Sequence, residues 1–180
     1  MCFVVSLYCN LNTNIMSNEC KYKFENVEDI KKFIIGGKAF FTLESKVTGK
    51  WFTYKVKLMK KDDNTSPFFV SVLTGNDNEK SYAYMGTIFQ NDKLSFRLTK
   101  KSNMSTDALS YKAFEIFFNL LQLNKVHPDM NVYHQGVCGR CGRKITVPES
   151  LVNGFGPECV NLVEKEKRKH LNKKILSYTC

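Results

Sequence analysis

The stretch "HQGVCGRCGRKITVPESLVNGFGPEC" holds His134, Cys138, Cys141 and Cys159 within 26 residues of chain. Thiolate sulfur and imidazole nitrogen are the donors that structural zinc takes, four at a time, in a tetrahedron. Two residues between Cys138 and Cys141 let both sulfurs reach one ion, and Gly139 and Gly142 relax the tight turn this needs. Cys159 is the natural third ligand, returned at the start of a helix whose dipole favours a thiolate. His134, four residues before Cys138, is the expected fourth. His170 lies eleven residues into the following helix, roughly 16 Å along its axis at 1.5 Å per residue. Cys20 and Cys180 would need long-range closure.

The expected ion is one structural Zn2+. A catalytic zinc keeps an open position, whereas four ligands close this one. The His-x-Glu pattern of zinc deaminases is absent, as are a Walker loop, a nucleophile elbow and a paired-carboxylate motif. Redox chemistry at Cys-x-x-Cys would want a thioredoxin-like βαβ setting, which is also missing. The expectation is a protein without catalytic residues.

Chain elements must position this site. Residues 26–35 read as a short helix capped by Asn26, with Val27, Ile30, Phe33 and Ile34 at helical spacing and glycines at 36–37 as a stop. From 38 to 99 the period changes to two. Five strands follow ("KAFFTLES", "WFTYKVKL", "PFFVSVLTG", "SYAYMGTIF", "LSFRLT"), joined by short turns such as the one at Thr48-Gly49. That is an antiparallel meander. In the second strand Phe52, Tyr54, Val56 and Leu58 share one face, and Trp51, Thr53, Lys55 and Lys57 the other. Ser105, Thr106 or Asp107 can cap a second helix, whose apolar stripe (Leu109, Ala113, Phe114, Phe117, Leu120, Leu121) should lie on the sheet. Residues 131–160 are too poor in large aliphatics to build a core alone and need a staple. The fold expected is α+β: a five-stranded meander with helices on one face, a zinc-stapled module, and a basic C-terminal helix in which Pro157 suits the first turn. The divisions are 1–20, an extension; 21–127, the α+β domain; 131–162, the module; 163–180, the helix. Residues 1–15 lack the positive charge and cleavage site of a signal peptide and read as dispensable, with Met16 opening an ordinary soluble sequence.

At this point "CGRCGRKITVPESLVNGFGPEC" resembles a small zinc-binding domain of unknown function with the pattern Cys-Gly-x-Cys-Gly-Arg, Pro-x-Ser, Gly-x-Gly-Pro-x-Cys. That family recurs in bacteriophage and actinobacterial mobile-element proteins, often attached to DNA-handling parts. Cys138, Gly139, Cys141, Gly142, Arg143, Pro148, Ser150, Gly154, Gly156, Pro157 and Cys159 carry the resemblance. A histidine four residues upstream also fits the pattern. "FTLESKVTGKWFTYKVK" and "PFFVSVLTGNDNEKSYAYMGTIF" are similar to the α+β domain that precedes this module in some phage proteins. The resemblance implies a zinc ion and a phage or mobile-element setting in the bacterial cytoplasm; the family has no assigned activity to carry over.

Charge bears on partners. The net charge is +10, and residues 131–180 hold nine basic against four acidic residues, +5 in 50 positions. Nucleic acid is therefore the first expected partner. Arg140, Arg143 and Lys144 sit in or beside the metal loop, and Lys167, Arg168, Lys169, Lys173 and Lys174 on the last helix; these are the expected phosphate contacts. The plainer reading of that helix is a solvated face with pairs such as Glu164–Arg168. Trp51, Lys55, Lys57 and Arg97 form a possible second surface of the kind single strands use. The alternative is a module that binds and inhibits or redirects a host defence or replication protein, with Trp51 as anchor. No membrane partner is expected, since no apolar run reaches the ~18 residues of a span.

Overall fold

The computed structural model describes residues 22–59, 66–90, 93–102 and 104–176; in the last helix, the side chains of His170 and of residues 173–176 are not part of the description. The expectations for residues 1–20, Cys180 and the side chains of Lys173 and Lys174 lie outside it.

The first helix, α1, spans Val27–Ile34 and starts as its sequence dictates. The Asn26 side chain accepts a hydrogen bond from the Glu28 backbone N–H at 2.9 Å, a cap that contributes about 1 kcal/mol. Ile30, Phe33 and Ile34 form its buried face. Strands β1 (Lys38–Ser45), β2 (Trp51–Leu58), β3 (Phe68–Leu73), β4 (Tyr82–Gln90) and β5 (Leu94–Arg97) follow, and Gly49 turns β1 into β2 at φ 65°. Helix α2 is Leu109–Gln122, β6 is Met130–His134, α3 is Pro148–Asn153 and α4 is Pro157–Leu176.

All strand pairs are antiparallel, in the order β5-β4-β3-β2-β1-β6. The sheet thus has six strands, not the five expected. β6 pairs with β1, setting His134 opposite Phe41 and Val132 opposite Leu43. Its sequence, "MNVYH", is too short for a two-residue period to register, and only Val132 and His134 are buried. The partner strand, not local propensity, makes it a strand. On its other side, residues 22–24 lie along β6: Phe24 N–H donates to Val132 O and His134 N–H to Tyr22 O, both at 2.9 Å.

One face of the sheet is the core. Phe41, Tyr54 and Phe96 receive α2, with Phe114 at 5.3 Å from Tyr54 and 4.8 Å from Phe96 between ring centroids, and Phe117 at 5.7 Å from Phe41. Each large ring buried here contributes on the order of 1.5–3 kcal/mol. Burial also holds the Tyr54 phenol neutral, and its hydroxyl donates to Ser110 O at 2.7 Å. This packing holds α2 without a side-chain cap. The helix follows Ala108, and Ser105, Thr106 and Asp107 do not cap it. Ser105 Oγ instead accepts from Asp107 N–H at 3.1 Å, closing a local turn.

The C-terminal part joins the same core. Phe155, just beyond α3, meets Phe33 of α1 at 5.9 Å, and Cys138, Ile145 and Leu151 are buried with the sheet residues. The last helix runs without a break from Pro157 across the division expected at residue 163.

Candidate metal centre

Three local devices bring the cysteines together. Val137 and Lys144 bridge antiparallel, and Cys138 N–H donates to Arg143 O at 2.8 Å. The chain therefore reverses within five residues, and Gly142 takes the left-handed conformation (φ 76°) that the reversal demands. Second, Gly139 N–H donates to Gly154 O at 3.0 Å, pinning the loop to the end of α3. A Cβ on Gly139 would stand 2.6 Å from the Phe33 ring, so no larger residue fits. Third, Pro157 opens α4 and sets Cys159 in its first turn.

The result is a group in which the sulfurs of Cys138, Cys141 and Cys159 all lie within 4.8 Å of one another. Ligands of a tetrahedral ion at about 2.3 Å stand about 3.8 Å apart, so the three could hold a metal ion with little movement. Cys138 is buried, Cys159 half-buried and Cys141 exposed.

Electrostatics distinguishes the three. Burial opposes ionisation of Cys138, but the backbone N–H groups of Cys141, Gly156 and Arg140, aimed at its sulfur, outweigh burial and lower its pKa. Cys159 is pushed up to about 12 by burial, then by its contacts with the other two thiols. Without a cation, three sulfurs this close cannot all be anionic. A bound divalent ion displaces their protons, as metal-held thiols require.

His134 is not brought into this group, contrary to expectation. It ends β6 on the core face, with its ring against Tyr22, Phe24 and Phe33. Nδ1 accepts from Gly136 N–H at 3.0 Å, so Nε2 carries the proton and donates to Leu151 O at 2.9 Å. Both nitrogens are thus engaged in tying β6 to α3. Burial lowers its pKa, opposed by the bond to Leu151. The expectation failed because strand pairing of residues 130–134, invisible locally, turns the ring into the core. Among the described residues no fourth His, Cys, Asp or Glu joins the three sulfurs.

The basic residues divide. Arg140 is not a free phosphate clamp: its guanidinium donates to both carboxylate oxygens of Glu166 in α4, at 2.6 and 2.7 Å. That bond raises its pKa, outweighing burial, which lowers it. Lys32 reaches Glu164 at 3.6 Å, Lys167 reaches Glu28 at 3.9 Å, and Arg168 reaches Glu164 at 3.9 Å as the i,i+4 pair expected of a solvated face. Arg143, Lys144 and Lys169 are exposed, and among the described residues none of them has a carboxylate within 4 Å.

The sheet face opposite the core carries Trp51, 66% exposed, with Lys57 and Arg97 also exposed. Lys55 stacks on Tyr82, its Nζ 4.2 Å from the ring centre; burial and then Lys57 lower its pKa. Register adds residues the sequence reading missed. Lys57 stands opposite Phe69, Lys55 opposite Ser71, and Ser71 opposite Tyr84, so Phe69 and Tyr84 share this face. Their alternation with Phe68, Val70 and Met85 was the available signal.

Residues 129–163 match a family of unknown function, DUF6011, a match that spans the metal loop and leaves most of the chain outside it. No curated protein and no solved structure matches the chain. Among the described residues no helix is long and apolar enough to cross a membrane.

Proposed function

We propose that the chain is a non-enzymatic accessory protein that binds single-stranded nucleic acid, with one Zn2+ held as a structural staple by Cys138, Cys141, Cys159 and a fourth donor that the described residues do not supply. The observation that carries this reading is the aromatic and basic sheet face. Trp51, Phe69 and Tyr84 lie there among Lys55, Lys57 and Arg97, and the helices pack on the other side. Aromatic faces accept any unpaired base, and cations between them hold the phosphates. A duplex hides its base faces and would leave this aromatic surface unused.

Arg143 and Lys144 extend the positive surface beside the metal loop, while Arg140 serves the fold. Zinc suits the donor set, since thiolates select soft ions and a staple needs no redox chemistry. The setting we propose for this role is a bacteriophage or mobile element acting in the host cytoplasm. The test is fluorescence anisotropy of the zinc-loaded chain with oligo-dT, oligo-U and a duplex over a salt series. Tighter binding to the single strands, with affinity falling steeply with salt, is expected. Equal binding to the duplex, or none at physiological salt, refutes the reading.

A further inference from the structure

A second surface lies between α1, the end of α2, the rim of the sheet and the metal loop. It is a cleft of about 1160 Å³, larger than the roughly 300–1,000 Å³ that one small molecule fills. Its floor is aliphatic: Leu58 and Leu94, both half-buried, line it above buried Ile34 and Leu121, and Leu123, 67% exposed, stands at its lip. Its rim is cationic, with Lys31, Lys38, Lys57 and Lys93. Among the described residues, the carboxylates in the lining are Glu28 and Glu166, which face Lys167 and Arg140. Among the described residues, the four rim lysines have no carboxylate within 4 Å.

We infer that this cleft docks an acidic amphipathic segment of a partner protein, its aliphatic side chains on the floor and its carboxylates on the rim lysines. Charge complementarity requires an anionic occupant, and the floor requires an apolar one. A helix with apolar residues at i, i+3, i+4 and i+7 and acids beside them meets both. Nucleic acid fits the floor less well. Bases stack on open ring faces, and the two rings in the lining, Phe68 and Phe118, are 3% and 2% exposed. The aromatic sheet face and the aliphatic cleft therefore take different partners. They share Lys57, so an acidic segment in the cleft competes with nucleic acid there.

The probe is a fluorescein-labelled synthetic helical peptide with leucines at that spacing and glutamates elsewhere, titrated with the full zinc-loaded chain at physiological salt. Two controls replace its leucines by serine or its glutamates by lysine. Lys93→Glu with Leu123→Asp alters two exposed positions outside the sheet face. The expected result is binding of the acidic leucine peptide only, weakened roughly tenfold or more by the double variant. Oligo-dT affinity and melting temperature should stay unchanged. No binding of that peptide, equal binding of its serine version, or indifference to the double variant overturns the inference. Loss of oligo-dT binding in the double variant overturns it too, and assigns the cleft to nucleic acid. Absence of oligo-dT binding with the peptide result intact refutes only the nucleic-acid reading.

Discussion

Arg140 and Glu166 meet through two parallel hydrogen bonds, 2.6 and 2.7 Å long, that join the metal loop to the third turn of α4. The pair is partly exposed, so solvent screens it, but its bidentate geometry is the favourable one. Arg140→Ala should cost about 1 kcal/mol in urea unfolding of the zinc-loaded chain. It should change oligo-dT affinity less than Arg143→Ala with Lys144→Ala does. A loss of affinity on Arg140→Ala larger than that of the double variant would mean that the guanidinium leaves Glu166 for phosphate.

Metal binding should be lost one cysteine at a time. Titration with Zn2+ should give one ion per chain, and Cys138→Ser, Cys141→Ser or Cys159→Ser should each weaken it by orders of magnitude. His134→Gln should keep the stoichiometry at one while lowering stability by about 1–3 kcal/mol through the lost bond and packing. Zinc loss in His134→Gln with folding intact would restore the histidine to the ligand set.

The same histidine predicts a pH effect of defined sign. Its folded pKa lies below its ordinary value of 6.5, so the unfolded chain binds its proton first as pH falls. The stability it contributes is complete above about 6.5 and is lost as pH falls from there through the lower folded value. Protonation also removes the acceptor that Gly136 N–H uses. An imidazole NMR titration should show a resonance with a midpoint below 6.5 that is absent from His134→Gln. A midpoint at or above 6.5 for that resonance would contradict the buried neutral ring.

Trp51 is the only tryptophan in the chain, so its emission reports on one site. It should be red-shifted and quenched by acrylamide in the free protein, and protected when oligo-dT is added. Trp51→Ala should weaken oligo-dT binding by about 1–3 kcal/mol, the cost of one lost stacking partner, with the melting temperature unchanged. An emission spectrum that ignores saturating oligo-dT would remove the sheet face from the binding site.

Local chemistry made much of this legible. Asn26 before an acidic first turn, the alternation in "WFTYKVKL" and the two-residue gap between Cys138 and Cys141 each act within a few residues, and each appears as read. What stayed hidden depends on partners distant in the chain. His134 looked like a ligand because it is four residues from Cys138; its role is set by Phe41, 93 positions earlier, through strand pairing. Arg140 looked like a phosphate clamp because Glu166 is one helix away. The short helix α3 went unread although Pro148 at its start and Gly154 at its end are the usual punctuation.

Residues 22–24 along the outer side of β6 have a further consequence, a colloidal one. A sheet edge with open N–H and C=O groups is a template on which a second chain can add a strand. β6 is such an edge by position, yet two of its backbone groups are already occupied by Phe24 and Tyr22. At the opposite edge, β5 is only four residues long and ends on Arg97. Neither end of the sheet thus offers a long free strand for fibril growth. Trimming the chain past Phe24 would uncover the longer-paired of the two and leave the chain prone to self-association.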